Sequence, residues 1–246
     1  MRLAVHESGA GSRTALLIHG LMSDHRAWHR VSADLEGRGF HIIAVDLAGH
    51  GGSPRARRYT LAAWAADVLE TVAPLLNGAP DLVMGHSLGG LVASRVAETL
   101  RPRAAVYVDP AFGFPGGARG VLLKLLFALS PRPRRPSLVR MNPKWDAVDV
   151  EIELATLADW DKRTILGLAD TRALTPPALV TGPSLVVLAE KSWLVSDAVA
   201  ELLHTRGMTV RRIAGTGHTV FRDEHRRFMA LVQAWLDRVA PAGARG

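Results

Sequence analysis

The sequence predicts an α/β domain: a mostly parallel central sheet with helices on both faces. Three observations carry that prediction. Short unbroken apolar runs recur along the chain, as expected of strands covered on both sides. Between them lie segments whose apolar residues repeat at helical spacing. The stretch Gly85-His86-Ser87-Leu88-Gly89-Gly90 falls where one such run gives way to one such segment. Strands alternating with helices imply parallel pairing and a layered domain.

In order, Arg2 to His6 is a first short strand, followed by a turn at Gly9 to Ser12. Thr14 to Ile18 is a continuous apolar run and reads as a central strand. It ends at His19-Gly20-Leu21-Met22, after which Ser23 or Asp24 can cap a helix whose Trp28, Val31 and Leu35 share one face. Gly37 and Gly39 stop that helix. His41 to Val45 is the next strand and opens into Asp46-Leu47-Ala48-Gly49-His50-Gly51-Gly52-Ser53. Thr60 begins a helix carrying Leu61, Trp64, Val68 and Val72. Asp81 to Met84 is the strand before Ser87, and Leu88, Leu91, Val92 and Val96 lie on a helix reaching Leu100.

Ala104 to Val108 is another strand, ending at Asp109-Pro110. From about residue 111 to 181 the alternation lapses, although Val121 to Leu129 is an apolar helix candidate. An insertion of that length at the carboxyl edge of a sheet is most simply a cap. Ser184 to Leu188 resumes the sheet, Ser196-Asp197 caps a helix through His204, and Met208 to Ile213 is the last strand. Gly215-Thr216-Gly217-His218 is a loop. The final helix shows Phe228, Leu231, Val232, Trp235, Leu236 and Val239 as a core stripe.

A chain of 246 residues with no linker-like stretch fits one domain, here 1–246 with its cap insertion. The absence of cysteine excludes disulfides and thiolate metal sites. The first residues form no apolar signal core, and no apolar run is long enough to span a bilayer, so a soluble, cytoplasmic protein is expected. The formal net charge is +7, but its arginines are dispersed. Only Arg132-Pro133-Arg134-Arg135 forms a cluster, without the aromatic interleaving of a nucleic-acid module, so no nucleic-acid partner is expected. The apolar run beside that cluster fits a lid helix better than stable membrane insertion. No His/Asp/Glu group has metal-ligand spacing. No P-loop lysine and serine follow Gly49 to Gly52, and no dinucleotide fingerprint opens the first helix, so no metal and no cofactor are expected.

A glycine-flanked serine between a strand and a helix is a nucleophile elbow, whose tight turn lifts the hydroxyl above the sheet edge. Serine at neutral pH needs a base within hydrogen-bond reach. With His19-Gly20-Leu21, Asp46 to Ser53, the elbow and Gly217-His218 in this order, the chain resembles the α/β-hydrolase superfamily, specifically its small capped esterase, lactonase and haloperoxidase-like group. The resemblance covers nearly the whole chain outside the cap. It implies Ser87 as nucleophile and His218 as base, with the backbone N–H groups of Leu21 and Leu88 as oxyanion donors. Met22 is the alternative to Leu21 if the loop is shifted by one residue. His19 and His50 then belong to structural loops, His86 points away from Ser87, and His225 lies on a solvated helical face. Many relatives orient the histidine with an aspartate after the strand preceding the capped helix. Here that stretch is Ala189-Glu190-Lys191-Ser192, with serine at the acid's place. Asp109 ends the strand after the elbow helix, from which some relatives take their acid, and Glu190 is the reserve. The alternative for Asp109-Pro110 is a simple turn.

Phe112, Phe114, Leu126, Trp145 and Trp160 are candidates to line an apolar pocket under the cap, together with Met22. Such a pocket suits an uncharged apolar ester or lactone, with water as second reactant. The same three residues also suit carbon–carbon bond hydrolysis, cyanohydrin cleavage or perhydrolysis, and Ser192 at the usual acid position suits a non-catalytic binding protein.

Overall fold

The computed structural model describes residues 1–113, 133–168 and 175–241, and these carry one seven-stranded sheet. The strands are β1 (Val5–Ser8), β2 (Arg13–Ile18), β3 (Phe40–Val45), β4 (Leu82–His86), β5 (Ala104–Val108), β6 (Ser184–Ala189) and β7 (Thr209–Ile213). Their order is β1-β3-β2-β4-β5-β6-β7. β1 pairs antiparallel with β3, and the remaining neighbours are parallel. β1 starts later than the sequence suggests because the first residues serve α2 instead. The Met1 ammonium binds Asp67 and Glu70, and the Leu3 N–H donates to Thr71 Oγ1 at 2.9 Å.

The helices are α1 (His29–Glu36), α2 (Leu61–Val72), α3 (Leu88–Leu100), α4 (Arg135–Met141), α5 (Ala147–Asp159), α6 (Asp197–Thr205), α7 (Val220–Asp223) and α8 (His225–Val239). Because successive strand residues face opposite sides, the core divides in two. Leu16, Ile43, Val83, Ala105 and Val186 pack with Trp64 and Val68 of α2 and Leu91 and Val92 of α3. Leu17, Ile42, Met84, Val106 and Val187 pack with Val31 and Leu35 of α1 and Phe228, Val232 and Trp235 of α8. As expected, Thr60 and Ser196 cap α2 and α6, accepting from the Ala63 and Val199 N–H groups at 3.1 and 3.3 Å.

Between β5 and β6 the described residues form α4, α5 and a 3-10 segment, Lys162–Leu168. The helix expected over Val121 to Leu129 lies outside the described residues. α5 is fastened to the body by charge. Arg222 on α7 meets Glu153 at 2.7 Å and Asp149 at 3.2 Å, and His29 Nε2 lies 3.1 Å from Asp149. Among the described residues no helix is long and apolar enough to cross a membrane.

The sheet order sets where a site can form. The chain leaves β2 for β3 on one side and then crosses to β4 on the other. Loops leaving the carboxyl ends of β2 and β4 therefore diverge and open a crevice between them. Leu21 follows β2, and Ser87 follows β4.

Candidate active site

Ser87 stands alone between β4 and α3, with φ 53° and ψ −117°. A non-glycine residue in that region carries strain of order 1–3 kcal/mol, which the surroundings must impose. Its N–H donates to the Val108 carbonyl at 3.0 Å, and its own carbonyl accepts from Gly90 and Ala111 at 3.1 and 3.0 Å. The flanking glycines permit the turn: a Cβ on Gly85 would lie 2.2 Å from the Gly89 carbonyl oxygen, and one on Gly89 would lie 2.2 Å from that of Ile18. Leu88 opens α3, where a helix leaves N–H groups without intrahelical partners.

Asp109 ends β5 with φ 38° and is fully buried. Its N–H donates to the Val187 carbonyl at 2.8 Å, and its Oδ1 accepts from the Ala189 N–H at 3.2 Å. The other oxygen, Oδ2, lies 2.7 Å from His218 Nδ1. With Nδ1–H donating there, Nε2 of His218 keeps its lone pair. His86, which borders the same cavity, supports that loop: its Nε2 donates to the His218 carbonyl at 3.0 Å. Burial holds the His86 imidazole well below its usual pKa, so it is neutral and suited to that bond. No hydrogen bond joins the Ser87 hydroxyl to His218 among the described residues, but both side chains border one cavity.

The described residues enclose about 150 Å³ there, and Leu21, Met22 and Leu88 border it with Ser87 and His218. Ala27, Ile165, Leu168, Trp193, Leu194 and Phe221 supply apolar wall, with Glu153 and Arg222 as charged lining. Several of the aromatic candidates lie elsewhere. Phe112 turns into the core, 1% exposed, with its ring 5.6 Å from that of Tyr107. Trp145 donates from Nε1 to Asp223 at 3.0 Å and lies under the Arg222 guanidinium, bracing the insertion rather than lining the cavity. Trp160 is buried at the end of α5, away from the cavity wall. Phe114 and Leu126 lie outside the described residues.

Trp193 was not among the sequence candidates. It is 46% exposed, and its ring lies 5.9 Å from that of His218. A lone tryptophan in a polar loop just past a strand end was the available signal. Glu190, the reserve acid, is exposed and accepts from the Gly215 N–H at 2.9 Å instead of meeting His218. Ser192 accepts from the Val195 N–H at 3.1 Å, which closes a local turn.

His19 and His50 are fully internal. His19 Nε2 accepts from the Leu47 N–H at 2.9 Å while Nδ1 donates to the Gly20 carbonyl at 2.7 Å, which ties the loop after β2 to the loop after β3. His225 is nearly buried rather than solvated, with Nε2 3.0 Å from Asp34. Linear spacing gave no sign of a metal cluster, yet the fold gathers His6, His25 and Asp46, which come from three separate segments.

A mostly parallel sheet with a strained serine at its switch point, bordering one cavity with a histidine held by a buried carboxylate, has the architecture of an α/β hydrolase. The chain belongs to the Alpha/beta hydrolase family, whose model matches residues 15–231. It is 26% identical over 272 residues to an uncharacterised protein of Mycobacterium tuberculosis, covering 95% of this chain and 78% of that protein. Lipase LipV of the same organism is 39% identical over 114 residues, 44% of this chain and 41% of the lipase. An esterase from Exiguobacterium antarcticum superposes with a TM-score of 0.79 at 17% identity, covering 96% of this chain and 95% of the esterase. A monoacylglycerol lipase from Paleococcus ferrophilus superposes with a TM-score of 0.73 at 25% identity, covering 98% of this chain and 100% of the lipase.

Proposed function

We propose that the protein is a serine hydrolase that cleaves an apolar carboxylic ester or lactone. The observation that carries this reading is the 2.7 Å bond between buried Asp109 and His218, which leaves Nε2 as a lone-pair base at a cavity shared with Ser87. In the proposed reaction, Ser87 Oγ attacks the substrate carbonyl as His218 Nε2 takes its proton. Charge on the carbonyl oxygen is met by the N–H groups of Leu21 and Leu88, and losing one such donor costs on the order of 10²-fold or more. The C–O bond to the alcohol then breaks, His218 returns the proton to the leaving oxygen, and the acyl group remains on Ser87. Water, deprotonated by the same imidazole, attacks the acyl carbon, and as the acyl C–Oγ bond breaks His218 returns that proton to Oγ, releasing the acid and free Ser87. Substrate binding brings Oγ and Nε2 into reach, since such bonds tighten on forming the reactive complex.

The mostly apolar wall supports an uncharged substrate, and α5 with the 3-10 segment supports the reading of 111–181 as a cap. The lipase and esterase names of its relatives point to the same chemistry. A fluorophosphonate probe is expected to label the protein and not Ser87→Ala. Turnover of p-nitrophenyl esters and simple lactones should vanish in that variant. Absence of labelling in folded protein overturns the reading and favours a binding role for the cavity.

A further inference from the structure

We infer that His6, His25 and Asp46 form a site for one divalent first-row cation of the zinc class, separate from the candidate active site. His6 lies on β1, His25 opens the 3-10 turn His25–Trp28 after β2, and Asp46 follows β3. One ligand atom from each lies within 4.8 Å of the other two. His25 Nδ1 is 2.9 Å from Asp46 Oδ1, and His6 Nε2 is 3.2 Å from Oδ2. With bonds of about 2.1 Å, adjacent donors around a tetrahedral or octahedral ion stand roughly 3.0–3.4 Å apart; each nitrogen lies near that distance from its own carboxylate oxygen, so a shared ion needs the two rings to tilt toward each other rather than any movement of the backbone.

The carboxylate is held for this role. It is fully buried, unlike the exposed acidic groups that often cluster without a metal. The His25 N–H donates to Oδ1 and the Gly52 N–H to Oδ2, each at 2.8 Å, which fixes the orientation of the oxygens. A Cβ on Gly51 would lie 2.3 Å from Oδ2, so the loop closes around the carboxylate only with glycine there. The two imidazoles stack with centroids 3.3 Å apart and planes at 10°, each presenting a nitrogen to Asp46. Both remain partly exposed, which leaves room for the rings to tilt toward a shared ion.

Two neutral imidazoles and one carboxylate are a borderline nitrogen–oxygen donor set, suited to zinc, cobalt or nickel rather than calcium or magnesium. On binding, each metal-facing nitrogen presents its lone pair, and its proton moves to the other ring nitrogen or to solvent. The histidines line a groove of about 380 Å³, so water or an anion fills the remaining positions. A bound ion would join β1, the loop carrying Leu21 and Met22, and the loop after β3.

The test uses tag-free full-length protein freed of metal with EDTA. Titration with Co²⁺ followed by visible absorption, and with Zn²⁺ by calorimetry, is expected to show one equivalent bound per chain with micromolar or tighter affinity. Saturating Zn²⁺ should raise the melting midpoint by several degrees, because an ion that binds only the folded state stabilises it by mass action. His6→Gln, on an exposed edge strand, and His25→Gln should each weaken binding about 100-fold while the metal-free midpoint stays close to that of the parent. His204→Gln, on α6, should bind as the parent does. If His25→Gln does not fold, His6→Gln decides alone. Lack of binding at 100 μM metal, or binding unaltered by His6→Gln, overturns the site. Neither readout involves turnover, so the result is independent of the proposed hydrolysis.

Discussion

Asp109 reaches His218 from the strand beside the one that carries Ser87, and the β4–β5 register pairs His86 with Val108, fixing the two residues side by side. Asp109 and Ser87 therefore stand on one rigid platform, with His218 delivered by a loop. Asp109→Asn is expected to lower kcat by about 10³- to 10⁴-fold with the melting midpoint little changed, because an amide cannot hold the same imidazole tautomer. Glu190→Gln should leave kcat within a few-fold of the parent, since Glu190 binds Gly215 rather than the imidazole. Ester hydrolysis by the purified variants checks both. Near-normal turnover in Asp109→Asn would remove that residue from the reaction. The positions of Ser87 and Asp109 were legible because each directly follows a strand, where position along the chain fixes position in space, whereas His218 lies five residues past β7 and was placed by its motif. Phe112 was not, since nothing in Asp109 to Gly113 tells which side of a turn a ring will take.

At the scale of elements, the strands were legible because burial on both faces demands unbroken apolar runs, and β2 to β6 satisfy that demand. β1 was misplaced because an edge strand half open to solvent has no such run. The turn from β4 into α3 depends on close backbone approach, which gives a sharp test. Gly89→Ala pushes a methyl group into the Ile18 carbonyl and should cost about 3 kcal/mol or more, read as a lower urea midpoint or failure to fold. Gly37 is the contrast. It has φ −58°, and an added Cβ would meet nothing closer than 3.5 Å. Gly37→Ala should shift stability by less than about 1 kcal/mol, on the stabilising side, by restricting the unfolded chain. The insertion was least legible because α5 is held by ion pairs such as Arg222–Glu153, whose partners are far apart in sequence.

For the molecule as a whole, buried neutral imidazoles set the response to acid. Burial pushes His50 down to about 3, and burial also holds His86 well below its usual value. In the unfolded chain both protonate near pH 6.5, so below that pH the unfolded state binds more protons than the folded one and stability falls with falling pH. Chemical denaturation should give a lower midpoint at pH 5 than at pH 8; equal midpoints would contradict the assignment. Asp161, brought down to about 2 chiefly by its hydrogen bonds with Arg163, adds a second decline as pH falls from about 4 toward 2. The meeting of His6, His25 and Asp46 was invisible in the sequence because it follows from strand order, not from spacing.

Because the carboxylate that meets His218 comes from just past β5, the stretch after β6 holds no acid against that imidazole and instead borders the cavity. Ser192 steadies its turn and Trp193 forms part of the wall. Within that stretch Leu194 and Val195 are buried in the core and Glu190 is tied to the loop before His218, so half-exposed Trp193 is the position where a change of side chain alters the cavity wall with least disturbance to the fold.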